Sequence, residues 1–159
     1  AKAEFIAADA LMKGIFDTAY GYVIFPNVGK GGIGVGGAAG NGVVYELNTI
    51  IGMAKLSQVT IGFQAGGQAY REIIFFESKN ELERFKKSQL EFSAEVSAVA
   101  VTAGASAKVK YSKGVMVFTM EKGGLMYEAS VGGQKFKFKK WWYFIILDTF
   151  ANLNHLTNL

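Results

Sequence analysis

The spacing of apolar and polar positions changes several times along this chain, and each change marks an element. Over residues 3–19, Phe5, Ala8, Met12, Ile15, Phe16 and Ala19 recur at helical spacing, while Lys2, Glu4, Asp9, Lys13 and Asp17 fill polar positions. This predicts a single amphipathic N-terminal helix. Gly21 and Pro26 then bracket a short apolar strand, Tyr22 to Phe25. From Gly31 to about Glu77 the pattern becomes β-like, in short runs separated by Gly and Asn: Ile33 to Val35, Val43 to Leu47, Ile50 to Leu56, and a long run from Val59 to Phe76 broken by Gly66-Gly67. Asn41-Gly42 is the strongest tight-turn signal between two of these runs.

A second helix is predicted near 78–88. Ser78 suits its N-cap, Glu81 three residues on completes a capping box, and Leu82 and Phe85 supply an apolar face. Lys86 and Lys87 fall at the negative end of its dipole. Alternation then resumes over Glu91 to Thr102, Ala107 to Tyr111, Val115 to Met120, Leu125 to Val131 and Gln134 to Phe138. Regularly spaced short strands with Gly turns predict a mainly β (α+β) fold, a Gly-rich antiparallel β-barrel or sandwich. The run Trp141 to Leu147, continued by Phe150, Leu153 and Leu156, reads in two ways. It is either a C-terminal helix packed on the sheet or an interfacial anchor, because Trp and Tyr favour the headgroup level.

Composition narrows the picture. A chain of 159 residues, half of them hydrophobic and 19% charged, is one ordered domain rather than a disordered segment. Its 20 glycines, against one proline, lie among Val, Ile, Phe and Tyr. Glycine weakens a strand, so its repetition there marks bulges, bends or close backbone passage. One glycine phrase occurs twice: Gly66-Gly67-Gln68-Ala69-Tyr70 returns as Gly132-Gly133-Gln134-Lys135-Phe136, which predicts equivalent corners of the sheet. Further doublets stand at Gly31-Gly32, Gly36-Gly37 and Gly123-Gly124. With no cysteine there is no disulfide or thiolate chemistry. No stretch reaches the roughly 18 apolar residues that span a bilayer as a helix.

Charge is unevenly placed. Residues 1–107 carry a net −1, whereas residues 108–140 carry eight lysines against Glu121 and Glu128, a net +6. A solvated lysine face and an anion-contacting face both fit this asymmetry. Within Lys135-Phe136-Lys137-Phe138-Lys139, strand alternation points the lysines one way and the rings the other. That arrangement suits an anionic membrane surface. It suits nucleic acid less, since stacking platforms require the rings beside the lysines.

Catalytic candidates are few. Gly32-Ile33-Gly34-Val35-Gly36-Gly37 satisfies GxGxxG, but a turn and strand follow where a dinucleotide site needs a helix. Lys30 lacks the Ser or Thr of a phosphate-binding loop. His155 is the sole histidine and no GxSxG is present. Glu91 and Glu95 share a strand face, where solvated carboxylates are the more economical reading than an acid/base couple. No metal-ligand spacing occurs. The residues thus point to no catalytic site, no cofactor and no metal.

Taken in order, Gly21-Tyr-Val-Ile-Phe-Pro-Asn-Val-Gly-Lys-Gly-Gly-Ile-Gly-Val-Gly-Gly37, Gly66-Gly-Gln-Ala-Tyr-Arg-Glu-Ile-Ile-Phe-Phe76, Glu91-Phe-Ser-Ala94, Gly123-Gly-Leu-Met126 and Gly132-Gly-Gln-Lys-Phe136 resemble the SYLF domain family, in a bacterial form. The resemblance runs from about residue 4 to residue 138. It implies a single domain over 1–140, with 141–159 as a C-terminal extension of unknown role. It also implies a non-enzymatic lipid-binding module of the periplasm or cell envelope, exported and lipid-anchored in its precursor. Eukaryotic relatives use a basic N-terminal helix for phosphoinositides. Here Lys2 and Lys13 face Glu4, Asp9 and Asp17, so that role is not carried over. The candidate lipid-binding residues are Lys108, Lys110, Lys113, Lys135, Lys137, Lys139, Lys140, Trp141 and Trp142, with anionic phospholipid as partner. The alternative is a structural or protein-interaction module of the envelope, with an envelope protein or a second copy docking on an exposed apolar patch such as Trp141 to Leu147.

Overall fold

The computed structural model describes residues 1–62, 67–92, 96–122 and 131–142. Its elements, in chain order, are helices α1 (Lys2–Ala8) and α2 (Met12–Thr18), strands β1 (Gly21–Glu46), β2 (Thr49–Gly62) and β3 (Gln68–Phe76), helix α3 (Lys79–Lys86), strand β4 (Val99–Ala100), a 3-10 turn (Ala105–Lys108), and strands β5 (Val115–Glu121) and β6 (Lys135–Lys140). All six strands form one sheet in the order β4-β5-β3-β1-β2-β6. The chain is therefore mainly β, as the patterning implies. The closed-barrel expectation is corrected: the sheet is open, with β4 and β6 at its edges among the described residues. It is also mixed, because β4 pairs parallel with β5 through Val99 and Phe118.

β1 is far longer than any run predicted from sequence. Its first limb (21–30) pairs with β3 and its second (34–46) with β2. The two limbs lie side by side and run antiparallel. A Cβ placed on Gly21 would lie 2.7 Å from the Tyr45 carbonyl oxygen, and one on Gly42 would lie 2.7 Å from that of Ile24. The reversal falls in the GxGxxG stretch, where Gly32 has φ +138° and a Cβ would meet the Gly36 Cα at 2.3 Å. This motif is thus a hairpin bend rather than a phosphate loop. Counted by limbs, the sheet has seven strands.

Asn41-Gly42 is not a turn. Both residues sit within β1, opposite Lys55 and Ala54 of β2. The chain reverses instead at Leu47-Asn48, both with positive φ (46° and 63°), the backbone of a type I′ hairpin. The Tyr22 hydroxyl donates to Asn48 Oδ1 at 2.9 Å and helps hold the turn there.

The predicted N-terminal helix is two helices. Asp9 breaks it: its Oδ1 accepts from the Leu11 N–H at 3.1 Å, and its Oδ2 accepts from the Ser106 N–H and hydroxyl at 2.9 and 2.6 Å. A short acidic side chain can offer the backbone such an alternative to helix. Hydrogen bonds from Ser106 hold the Asp9 carboxyl below its usual pKa. The strand expected over Ala107 to Tyr111 does not form: Ala107 and Lys108 belong to the 3-10 turn that Ser106 anchors to Asp9, and residues 109–111 carry no regular element. Only Val99–Ala100 forms a named strand within the described part of Glu91 to Thr102. Helix α3 forms where predicted, with Ser78 as N-cap accepting from the Asn80 N–H at 3.2 Å.

The sheet is unevenly covered. Phe5, Met12 and Phe16 of α1 and α2 pack on one face of the β1–β3–β5 region with Tyr22, Ile24, Phe75 and Phe118. Leu82 and Phe85 of α3 pack on the other face with Phe25, Val28, Phe76, Val117 and Phe136. Strands covered on both faces carry near-continuous apolar sequence, which explains Ile73-Ile74-Phe75-Phe76. The second limb of β1, with β2 and β6, is different. Val44, Ala54, Leu56 and Phe136 face the core, whereas Asn41, Lys55, Ser57, Lys135, Lys137 and Lys139 on the opposite face are exposed.

Gly66, Gly123-Gly124, Glu95, His155, most of the Leu125 to Val131 strand and the C-terminal segment from residue 143 lie outside the described residues.

Candidate functional site

The uncovered face of β2 and β6 is the candidate interface. β6 alternates as its sequence predicts: Phe136 is buried and Phe138 half-buried, while Lys135, Lys137 and Lys139 are exposed. Antiparallel register with β2 sets Lys137 opposite Lys55, Lys139 opposite Met53 and Lys135 opposite Ser57. Asn41 of β1 lies opposite Lys55 on its other side. Directly opposed side chains have Cβ atoms about 4.5–5.5 Å apart, and like charges so placed repel. Lys55 and Lys137 therefore raise the local positive potential at a cost in stability. No carboxylate among the described residues forms an ion pair with either. Asn41, Met53, Ala54, Lys55, Lys137 and Lys139 line a groove of about 460 Å³. Lys135 is 3.8 Å from a carboxylate oxygen of Glu91, both side chains exposed, a pairing worth little in water.

On the core side of β2, a Cβ on Gly52 would lie 2.2 Å from the Lys139 carbonyl oxygen and 2.5 Å from the Phe138 ring, so only glycine lets β6 seat here.

Lys140 departs from the row. Its position in the alternation turns it toward the α3 side, where it lines a second groove of about 400 Å³ with Ile51, Lys86, Phe138, Trp141, Trp142 and Glu46. Trp141 and Trp142 are 44% and 55% exposed. Leu47 and Ile50, at the β1–β2 hairpin beside them, are also exposed large apolar residues.

The remaining candidates lie elsewhere. Lys108 ends the 3-10 turn, and Lys110 and Lys113 precede β5; all three are exposed. β3, both limbs of β1 and β2 stand between β5 and β6 in the sheet order. None of Lys108, Lys110 and Lys113 lines the groove formed with Lys55, Lys137 and Lys139. The basic 108–140 segment is thus divided between the β5 and the β6 parts of the sheet. Lys55, by contrast, is absent from the sequence-derived set yet central to the interface. Its only sequence signal is its alternation with Ala54 and Leu56; the register that places it beside Lys137 is tertiary information.

Glu91 is exposed, and its expected companion Glu95 lies outside the described residues. Among the described residues no three His, Asp or Glu side chains gather to hold a metal, and no helix is long and apolar enough to cross a membrane.

Residues 57–142 match a family model, Ysc84, described as Las17-binding protein actin regulator. The match runs from Ser57, within β2, to Trp142 and so includes β6 and both tryptophans. Over 123 residues, 77% of this chain, the sequence is 29% identical to Beta cell expansion factor A of Aeromonas veronii. The aligned region is 47% of that protein, so the chain spans about half the length of this curated relative.

Proposed function

Because the chain belongs to the Ysc84 (SYLF) family, whose members suggest a lipid-binding or actin-associated module, we propose that it is a non-enzymatic module of the bacterial cell envelope that docks on anionic lipid headgroups. The observation that carries this reading is the opposed Lys55–Lys137 pair, flanked by Lys135 and Lys139 on an uncovered sheet face. Each lysine near an anionic membrane contributes on the order of 1 kcal/mol, so the four support weak, salt-sensitive binding. Trp141 and Trp142, just past the end of the lysine strand, suit the interfacial layer.

Co-sedimentation of the full chain with phosphatidylglycerol/phosphatidylcholine vesicles tests the reading. Binding at low salt is expected, with loss on combined Lys55→Glu, Lys137→Glu and Lys139→Glu substitution. Absence of low-salt binding, or binding indifferent to those charge reversals, overturns it.

The exposed Leu47, Ile50, Trp141 and Trp142 at one end of the sheet favour a second reading, a protein-interaction or self-association surface of the envelope. Removal of residues 141–159 would then abolish oligomers or captured partners, whereas an unaltered monomer counts against it.

A further inference from the structure

We propose that one proton on Glu72 closes a buried hydrogen-bonded ring with Tyr70 and Gln134, and that this ring holds the foot of the lysine strand on the sheet. The Gln134–Glu72 bond and the burial of all three side chains are observed, and the two bonds through Tyr70 are what the proton adds. The ring's role in regulating the lysine face rests on the lipid-binding reading above.

Tyr70, Glu72, Ile74 and Phe76 are successive positions on one face of β3, and all four are buried. Glu72 is 0% exposed at the centre of the sheet, opposite Phe25 of β1 and Thr119 of β5. Gln134, also 0% exposed, donates from Nε2 to Glu72 Oε2 at 2.8 Å. Three buried oxygens nearby then remain without a hydrogen-bond partner: Glu72 Oε1, the Tyr70 hydroxyl and Gln134 Oε1.

Their needs are complementary under one condition. An ionised carboxylate and an amide oxygen both only accept, so the single Tyr70 O–H would have to serve both and one acceptor would stay unpaired. A protonated Glu72 supplies the missing donor. Glu72 Oε1–H donates to the Tyr70 oxygen, Tyr70 O–H donates to Gln134 Oε1, and the existing Gln134 bond returns to Glu72. No cation among the described residues opposes protonation. The groups facing Glu72 from the described neighbours are Tyr70 on its own strand, Phe25, Thr119 and Gln134, none of them charged at neutral pH. Burial accordingly pushes the Glu72 carboxyl up to about 8.

The ring is tied to the interface through the turn before β6. The Gly133 N–H donates to the Phe92 carbonyl at 2.7 Å, Gln58 Nε2 of β2 donates to the Gly132 carbonyl at 2.8 Å, and Gln134 reaches β3. Lys135 follows at once. A charge on Glu72 in this core is met by the Gln134 amide alone and by no cation among the described neighbours, so alkaline pH loosens the turn that seats β6. The two copies of the glycine phrase therefore meet, in unequal roles. Gln68 is exposed while Tyr70 and Glu72 follow it inward, and Gln134 is the buried member that joins them. This corrects the expectation of equivalent corners.

A carboxyl-carbon NMR titration of the wild-type full chain, from about pH 5 to about pH 10, decides the ring without any variant. Glu72 is expected to remain protonated through neutral pH and titrate near 8; titration in the ordinary carboxylate range overturns the ring. Vesicles of phosphatidylglycerol and phosphatidylcholine test the regulation. Between about pH 7 and about pH 9.5 wild-type binding is expected to weaken about tenfold, the loss of most of the closed population. Glu72→Gln, which keeps a donor and an acceptor in place, should bind equally at both pH values. A parallel fall in Glu72→Gln, or no fall in the wild type, overturns the regulation. If no vesicle is bound at any pH, the lipid reading and the regulation fall together, and the NMR result still decides the ring.

Discussion

At Gly42 an added methyl group would lie 2.7 Å from the Ile24 carbonyl oxygen and 2.7 Å from the Phe25 ring. Backbone on one side and a packed aromatic on the other leave little to yield, so Gly42→Ala is expected to cost about 1–3 kcal/mol. Gly29→Ala, with nothing within 4 Å of its Cβ, should be neutral or slightly stabilising. Urea midpoints of the two variants check the contrast. Glu72 carries the second residue-scale prediction. Its carboxyl rises from 4.5 to about 8 on folding, so folding takes up a proton. The favourable contribution is complete below about pH 4.5 and is lost as pH rises toward 8, about tenfold in the folding equilibrium per pH unit. Chemical denaturation across this window should show that slope in the wild type, and Glu72→Gln should remove it.

Hairpin geometry decides at the scale of elements. Leu47 occupies φ 46° while 66% exposed, so it pays the left-handed penalty and buries little in return. Leu47→Asn is expected to stabilise by roughly 0.5–1 kcal/mol, since asparagine tolerates that backbone. Asn41, by contrast, is a strand residue opposite Lys55. Asn41→Thr should be neutral or stabilising by thermal melting; a loss of the size expected for a turn asparagine would contradict the register. The break between α1 and α2 follows from a partner distant in sequence. Asp9 bonds Ser106, and nothing within residues 3–19 could announce it.

The division of the lysines between two parts of the sheet is the controlling fact for the whole molecule. Lys108, Lys110 and Lys113 belong to the β5 side, and none of them lines the groove of Lys55, Lys137 and Lys139. Lys108→Glu, Lys110→Glu and Lys113→Glu together should leave vesicle binding within about twofold, while the Lys55, Lys137 and Lys139 reversals abolish it. Equal losses from the two sets would mean that binding reads net charge alone. The uneven covering of the sheet has the same consequence for location: helices occupy both faces of β1–β3–β5, so an extended contact is left to the outer face of β2 and β6.

Local chemistry was legible in the sequence wherever it acts over a few residues. The Ser78 cap, the Leu82–Phe85 face, the β6 alternation and the mainly β character all follow from spacing alone, because rotamer, cap and pleat geometry repeat with a fixed period. Glycine density likewise announced close backbone passage, borne out at Gly21, Gly42 and Gly52. What glycine could not disclose is which backbone passes: Gly42 faces Ile24, not a turn partner. Only the tertiary structure set register, edge order and burial. These placed Lys55 beside Lys137, sent Lys108 to the β5 side, left the sheet open, and joined Glu72 to Gln134 across 62 positions of chain. Such pairings depend on which surfaces the folded chain brings within reach, and no local period encodes that.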